Sequence, residues 1–251
     1  MSKAVVIIPT YNEKENISKI IDAVFNLNQG YHVLIIDDGS PDGTAQIVKD
    51  KMPAADGKLH IVERKGKLGL GTAYIRGFEW SLEHGYDYVF EMDADFSHNP
   101  EDLPRLLAAC EKDGADVAIG SRYVSGVNVV NWPMGRVLMS YYASKYVRMV
   151  TGLKIKDTTA GFKCYSSKVL KAINFDEIRF KGYAFQIEMK FTAHKIGFKV
   201  VEVPIIFTDR TEGTSKMSGG IFSEAVFGVL SMKIRSWFKN YKKLHPDYKK
   251  S

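Results

Sequence analysis

An α/β fold built on a mostly parallel central sheet is predicted by three features of the sequence. Apolar, β-branched runs read as buried strands, segments of helical period alternate with them, and acidic residues collect where the runs end. Strands and helices alternating at this spacing form βαβ units, which place the strands side by side in one direction.

Lys3–Pro9 is the first run, and Thr10-Tyr11-Asn12-Glu13 follows it. Ile17, Ile20, Ile21, Val24 and Phe25 then repeat at helical period. Tyr31–Ile36 is a second strand, ending in Asp37-Asp38-Gly39-Ser40-Pro41-Asp42-Gly43-Thr44. The Asp, Gly and Pro of that segment suit a tight strand-to-helix loop. A helix over Ala45–Met52 and a strand over Leu59–Glu63 come next, and Lys65-Gly66-Lys67-Leu68-Gly69-Leu70-Gly71 opens a helix through Glu83. The fourth run, Tyr86–Met92, empties into Asp93-Ala94-Asp95. Asn99-Pro100 stops it, and Pro100-Glu101-Asp102 suits the first turn of a helix over Leu103–Glu111. Asp116–Gly120 is the fifth strand.

Beyond Ser121-Arg122 the alternation breaks. Tyr123–Pro133 reads as a loop with an apolar middle, Met134–Val150 and Ala184–Lys195 as helices, and Lys199–Phe207 as a strand. Thr208–Gly220 is polar and glycine-bearing, as suits a mobile lid. The last helix, Ile221–Phe238, sets Glu224, Gly228, Ser231 and Arg235 along one side. Its other side carries Ile221, Ala225, Val226, Val229, Leu230 and Trp237.

With 45% apolar and 25% charged residues, the chain has the make-up of a soluble globular protein. Cys110 and Cys164 match no metal spacing or disulfide framework, which points to a reducing compartment. Met1-Ser2-Lys3 leads straight into a strand, so no signal peptide is expected. No window reaches the ~18 uncharged apolar residues of a bilayer span. The net charge of +6 is local: Lys233–Ser251 holds seven cations and one acid, and the remainder balances at 28 against 28. Nucleic-acid binding wants a basic face on the fold itself, so a basic tail on a neutral domain argues against it.

The motifs exclude several chemistries. The first strand lacks a G-x-G-x-x-G turn, and Gly69 and Gly71 lack the third glycine, so no dinucleotide fingerprint is present. No P-loop, G-x-S-x-G elbow or metal-spaced histidine pair occurs either. What remains is acid at three strand ends: Glu13, Asp37/Asp38 and Asp93/Asp95. Ligands of open α/β sheets bind outside the carboxyl ends of the strands. Two carboxylates spaced i, i+2 at such an edge can share a hard divalent cation, with substrate phosphates completing its shell. Read alone, the pair is equally two solvated loop acids, and turn-making or helix capping is the competing reading for Asp37, Asp38 and Asp42.

The set Pro9-Thr10-Tyr11-Asn12-Glu13, Asp37 to Thr44 and Asp93-Ala94-Asp95 resembles glycosyltransferases of the GT-A fold, family 2 type. Gly69-Leu70-Gly71-Thr72-Ala73-Tyr74, Gly120-Ser121-Arg122-Tyr123, Ala160-Gly161-Phe162 and Asp209 to Ser218 narrow the resemblance to the dolichol-phosphate mannose synthases. It runs from Val5 to about Phe238.

The resemblance implies roles. Asp95 would be a metal ligand, with Asp93 nearer the ribose and the metal, and Mg²⁺ or Mn²⁺ the cofactor. Pro9, Tyr11, Glu13, Ile36, Asp38 and Ala94 would line the nucleotide pocket. Arg122, Arg136 and Ser140 would hold the acceptor phosphate, and Arg210 and Lys216 would close on the donor diphosphate. Relatives often place a metal-contacting Gln two residues after the second Asp; here it is Ser97. Arg136 and Ser140 are i, i+4 and share a helix face, and guanidinium groups bind phosphate in bidentate fashion.

The expected domain spans 1–238, with a nucleotide-binding half over 1–121, an acceptor and lid half over 122–220, an amphipathic helix over 221–238 and a basic tail over 239–251. The expected reaction is inverting transfer of mannose from GDP-mannose to dolichol or polyprenol phosphate, at the cytoplasmic face of a membrane. The residues leave open transfer of glucose or a HexNAc from a UDP-sugar, and a non-catalytic nucleotide-sugar binder. The apolar sides of residues 127–132, of the 134–150 helix and of the last helix are expected either at the membrane interface or against the core.

Overall fold

The structure is a computed structural model, and it describes residues 2–182, 184–209 and 221–246. Its centre is a seven-stranded sheet. In chain order the strands are β1 (Ala4–Thr10), β2 (His32–Asp37), β3 (Leu59–Glu63), β4 (Tyr88–Glu91), β5 (Val117–Ser121), β7 (Lys163–Ser166) and β8 (Val200–Pro204). Across the sheet the order is β3-β2-β1-β4-β7-β5-β8. All neighbours are parallel except β7, which runs antiparallel between β4 and β5.

The helices α1 (Ile17–Asn26), α2 (Thr44–Lys51), α3 (Leu70–Glu83) and α4 (Leu103–Glu111) connect the early strands. A 3₁₀ turn, Pro100–Asp102, leads into α4, and Asn99 Oδ1 caps it by accepting the Glu101 N–H at 3.1 Å. Because β1, β2 and β4 are covered on both faces, Val5–Ile8, Val33–Ile36, Val89 and Phe90 are fully buried, in two clusters on opposite faces of the sheet.

The second half departs from the simple alternation. β7 follows Ala160-Gly161-Phe162 and leads into α6 (Ser167–Ala172), a strand–helix pair with no signal in the local pattern. The expected strand over Lys199–Phe207 is divided. β8 ends at Pro204, which has no N–H for a ladder. β9 (Phe207–Thr208) then pairs in parallel with β6 (Val129–Val130) in a separate small sheet.

Three helices complete the fold: α5 (Met134–Thr151), α7 (Ala184–Ile196) and α8 (Ile221–Trp237). α8 packs inward along a stripe that carries Gly228, Val229, Met232 and Ser236. Gly228 lies so close to Phe180 that a Cβ would stand 2.6 Å from the ring, and Val229 and Met232 are buried. α5 runs alongside, joined to α8 by Tyr146 Oη donating to Val226 O at 3.0 Å. The outer faces of both helices stay in solvent: Met134, Leu138 and Tyr142 on α5, with Phe227, Leu230, Ile234 and Trp237 on α8. The choice between interface and core is thereby resolved by side: Val229 packs on the core, while Leu230 and Trp237 do not.

Part of the expected basic tail is also folded. Tyr241–Leu244 forms a 3₁₀ turn, Tyr241 meets the Phe191 ring edge-on at 6.5 Å, and His245 packs on Phe198 at 4.9 Å.

Candidate active site

β1 marks the point where strand order reverses, with β2 and β3 to one side and β4 to the other. Ligands of open α/β sheets bind at the carboxyl ends of the strands at such a point, and the acid-bearing segments emerge there. On the β1/β2 side, Pro9 and Ile36 are cross-strand partners, and the Asp38 N–H donates to Thr10 O at 3.0 Å.

Asp37 serves the turn. It accepts from Thr10 Oγ1 at 2.9 Å and from the Ser40 N–H and Oγ at 2.9 and 2.6 Å. Asp42 precedes Gly43, the N-cap of α2, and closes a local turn by accepting from the Thr44 N–H at 3.0 Å and the Thr44 hydroxyl at 2.6 Å. Asp38 is held by Arg64, whose Nε donates to it at 2.6 Å and whose Nη1 donates to Thr72 Oγ1 at 2.8 Å. Tyr11 and Glu13 stand half-buried at the same edge; Lys67 Nζ lies 5.4 Å over the Tyr11 ring, and Asn16 Nδ2 donates to Glu13 Oε2 at 3.2 Å. The Ile36 side chain is in the core, which leaves only its backbone to face a ligand.

β4 ends at Glu91, and the chain then turns through the carboxylate pair. Phe96 adopts a left-handed φ of 59°, unusual for a bulky residue. The turn lets the Ser97 N–H donate to Asp95 Oδ1 at 3.0 Å. Ala94 and Asp95 are buried, and Asp93 is half-exposed. Tyr74 Oη donates to Asp93 Oδ1 at 3.4 Å.

Asp93, Asp95 and Ser97 line a cleft of about 670 Å³, counting space open to solvent, together with Arg122, Arg136, Gly161, Gln186 and Phe207. His98 forms part of its wall. It stacks on Phe162 at 4.9 Å, and its Nδ1 accepts the Asp93 N–H at 3.3 Å, which puts the proton of the neutral ring on Nε2. Burial pushes this imidazole down to about 4 against the opposing pull of Asp95. It is a poor base at neutral pH, in keeping with a structural role.

The cationic side of the cleft is built from the second half of the chain. Arg122 follows β5 and is clamped by Asp157, which accepts from Nε at 2.7 Å, from Nη2 at 2.6 Å and from the Arg122 backbone N–H at 2.9 Å. Burial works to raise the Asp157 carboxyl, but Arg122 outweighs it and the carboxyl stays below the ordinary range. Arg136, in the first turn of α5, donates to both oxygens of Asp209 at 2.9 Å and stacks over Trp132 at 4.1 Å. Ser140, one turn further along α5, does not line the cleft. Arg210 and Lys216 lie outside the described residues. One cleft therefore brings an acidic edge and two guanidinium groups together.

Residues 5–173 match the family model described as Glycosyl transferase family 2. The chain belongs to glycosyl transferase family 2. Among the relatives of this family 2 chain is the polyprenol monophosphomannose synthase of Mycolicibacterium smegmatis, 48% identical over 93% of this chain and 88% of the relative. The undecaprenyl-phosphate mannosyltransferase of Micrococcus luteus is also 48% identical, over 90% of this chain and 92% of the relative. The fold is that of glucosyl-3-phosphoglycerate synthase from Mycobacterium tuberculosis, solved with Mn²⁺, UDP and glucosyl-3-phosphoglycerate. The TM-score is 0.65 at 17% identity, over 94% of this chain and 80% of that one. A mannosyltransferase from Pyrobaculum calidifontis in complex with GDP-Man and Mn²⁺ aligns with a TM-score of 0.59 at 16% identity, over 94% of this chain and 64% of that one.

In this family 2 glycosyltransferase the donor set at the carboxylate loop fits a hard divalent cation. Asp93, Asp95 and the Ser97 hydroxyl offer oxygen alone, the preference of Mg²⁺ and Mn²⁺ over softer metals. Among the described residues no cluster of three His, Cys, Asp or Glu side chains could hold a metal. Asp93, Asp95 and Ser97 alone offer fewer oxygens than such a cation binds, and a diphosphate could supply the rest.

Several residues that shape the family 2 site carry no signal in the sequence pattern: Arg64, Asp157, and the buried group Glu91, Lys163, Gln186 and Lys190. Lys163 Nζ pairs with Glu91 Oε2 at 3.0 Å, both fully buried, and Lys190 Nζ donates to Ala160 O at 2.6 Å. Burial lowers both lysines, with Glu91 opposing the shift at Lys163. Each pair joins residues distant in the chain, and no spacing rule connects them.

Proposed function

We propose that this glycosyltransferase moves mannose from GDP-mannose to the phosphate of a polyprenol, with inversion at C1 and release of GDP. The observation that carries the reading is the single cleft in which Asp93 and Asp95 are joined by Arg122 and Arg136. Carboxylates placed for a metal-bound diphosphate meet guanidinium groups suited to a second phosphate. The names of the two mannosyl-transferring relatives support the sugar and the acceptor class.

In this reading an acceptor phosphate oxygen attacks C1, the bond from C1 to the β-phosphate oxygen breaks, and its electron pair leaves with GDP. A phosphomonoester has a second pKa near ~6, so at neutral pH it is already an anionic nucleophile and needs no general base. That matches a cleft whose one histidine is a poor base. Asp93, Asp95 and Ser97 would hold Mg²⁺ or Mn²⁺, which when bound supplies Lewis-acid stabilisation of the departing diphosphate. Pro9, Tyr11, Glu13, the Ile36 backbone, Asp38 and Ala94 would surround the nucleoside. Arg136, with Ser140 behind it, would orient the acceptor phosphate. Arg122 is fixed by Asp157 and would present a preorganised charge. Arg210 and Lys216 would close on the diphosphate.

The acceptor is a lipid, and among the described residues no helix is long and apolar enough to cross a membrane. The exposed apolar faces of α5 and α8 would rest on the cytoplasmic membrane surface, with the basic C-terminal residues near anionic headgroups. The domain over 1–238 would then divide into a donor half, 1–121, and a lipid-facing remainder.

A donor screen tests the reading. The protein is incubated with polyprenol phosphate, Mg²⁺ or Mn²⁺, and labelled GDP-mannose, UDP-glucose or UDP-GlcNAc. Label is expected in the lipid phase from GDP-mannose, with stoichiometric GDP. Transfer from a UDP-sugar alone would reassign the donor, and no transfer from any of them would sink the proposal.

A further inference from the structure

Beneath the carboxylate loop lies a group of charges to which the reaction above gives no role. Glu91 closes β4, Lys163 opens β7, and antiparallel pairing sets them directly opposite each other. Both are fully buried. A buried ion pair is often no better for stability than well-packed apolar residues of similar volume. Its place two residues before Asp93 therefore invites a functional explanation.

The third member supplies one. Gln186, in the first turn of α7, is buried yet lines the cleft. Its Oε1 accepts from Lys163 Nζ, and its Nε2 donates to Glu91 Oε2 at 2.7 Å. An amide has two N–H groups on that nitrogen. Glu91 takes one, and no described residue makes a hydrogen bond with the other.

The amide is also locked against flipping. A flipped amide would set its NH₂ against the Lys163 ammonium and its oxygen against the Glu91 carboxylate. Opposite stands Gly161, where a Cβ would come 3.7 Å from Gln186 Nε2 and 3.8 Å from His98 Cε1. The missing side chain keeps a window in front of the amide, beside the ring that accepts the Asp93 N–H.

We propose that Gln186 reads a hydroxyl of the transferred sugar, with the Glu91–Lys163 pair fixing which end of its amide faces the cleft. The inference rests on the transferase reading above and names its sugar-contacting group. The chemistry selects the ligand. The cleft meets phosphate with carboxylates placed for a metal and with guanidinium groups, whereas an uncharged, oriented N–H suits a neutral hydroxyl oxygen. Sites built to hydrogen-bond a hydroxyl discriminate strongly against analogues that lack it, because a buried donor is then left unpaired.

The test is a set of monodeoxy donors, each missing one sugar hydroxyl, assayed for kcat/KM with the full-length protein and polyprenol phosphate. For the hydroxyl that Gln186 reads, the wild-type protein is expected to disfavour the deoxy donor by about tenfold or more. Gln186→Met should erase that gap for the one deoxy position, keep the gaps at the others, and leave GDP affinity unchanged. Equal losses on every donor, or a gap that survives Gln186→Met, would overturn the proposal.

Should Gln186→Met fail to fold, as shown by lost GDP binding, Gly161→Ala carries the test. It adds one methyl at ordinary contact distance, which must raise the donor KM while sparing GDP affinity. An unchanged KM would overturn the idea. Failure of the transferase reading is seen separately: if the wild-type protein prefers another nucleotide sugar, the deoxy series of that sugar is used. If it transfers none, both proposals fall.

Discussion

The strands around β1 and the helices α5 and α8 treat apolar side chains in opposite ways. Val5–Ile8 and Val33–Ile36 are wholly buried, whereas Met134, Tyr142, Met149, Phe227 and Trp237 are each more than half exposed. The sheet half has a closed core of its own. The α5/α8 face, by contrast, spends large apolar residues on solvent, which monomeric proteins seldom do over a contiguous patch. Both regions border the same cleft: the sheet edge contributes Asp93 and Asp95, and α5 contributes Arg136. One region thus sets carboxylates on a rigid frame, and the other leaves large apolar side chains in solvent.

The largest effect is expected where the frame meets the ligand. Asp95→Ala should lower transfer by about 10³-fold or more, the scale for losing a principal electrostatic stabiliser. Its melting temperature should stay near that of the wild-type protein. An active Asp95→Ala enzyme would remove the carboxylate loop from the chemistry, and a collapsed one would show that the frame depends on the site.

The junction between the halves should be fragile. Asp157→Ala removes the carboxylate that clamps the buried Arg122 and should cost about 3–5 kcal/mol, read by denaturant unfolding. A loss below ~1 kcal/mol, the value of an exposed pair, would mean that the clamp is not buried in solution.

The exposed α5/α8 face should respond in the opposite sense. Phe227→Glu with Trp237→Glu should weaken binding to vesicles by roughly tenfold or more, since burying each large apolar side chain is worth about 1.5–3 kcal/mol. Stability should be unchanged. Sedimentation with liposomes and a thermal melt together decide the matter: a lowered melting temperature would show these residues to be core after all.

Lys242→Ala with Lys243→Ala should weaken binding to anionic vesicles by about 1 kcal/mol per residue and flatten its salt dependence. Neutral vesicles should not register the change. The exposed pair is the cleaner probe because a deletion of 239–251 would also remove the packing of Tyr241 and His245.

The smallest effect belongs to the opposite edge of the sheet. His32 Nδ1 lies 3.3 Å from His60 Nε2, and burial lowers both imidazoles below 6.5. Above that pH both states are neutral and stability is flat. As pH falls through 6.5 the unfolded chain takes up protons that the folded pair refuses, so stability drops until the folded-state values are reached. Unfolding free energies at pH 7.5 and 5.5 should differ less in His60→Gln than in the wild-type protein. Equal differences would assign the slope elsewhere.

Much of the chain before Arg122 was legible in the residues. Its strands are apolar throughout because they are covered on both faces, its helices keep their period, and its acids sit where strands end. Each is a local signal. Asp93 and Asp95 were recoverable for that reason, and so was the turn-making role of Asp42. Less was legible past Arg122. β7 is four residues long with no alternation, and it is a strand only because β4 and β5 leave a slot for it. The clamp on Arg122 joins residues 35 apart, and the Gln186–Glu91 bond joins residues 95 apart.

The sequence by itself determined the parallel α/β frame, the family and the carboxylate loop, because buried strands, helical period and turn residues act within a few neighbours. Only the tertiary structure decided which side of α8 faces inward, that Arg122 is clamped rather than loose, and that Gln186 opens onto the cleft. The helix pattern offered two sides, and the close approach to Phe180 falls at Gly228, where a side chain would clash with the ring. Buried charges must find partners wherever the fold brings them, and distance along the chain does not constrain that choice.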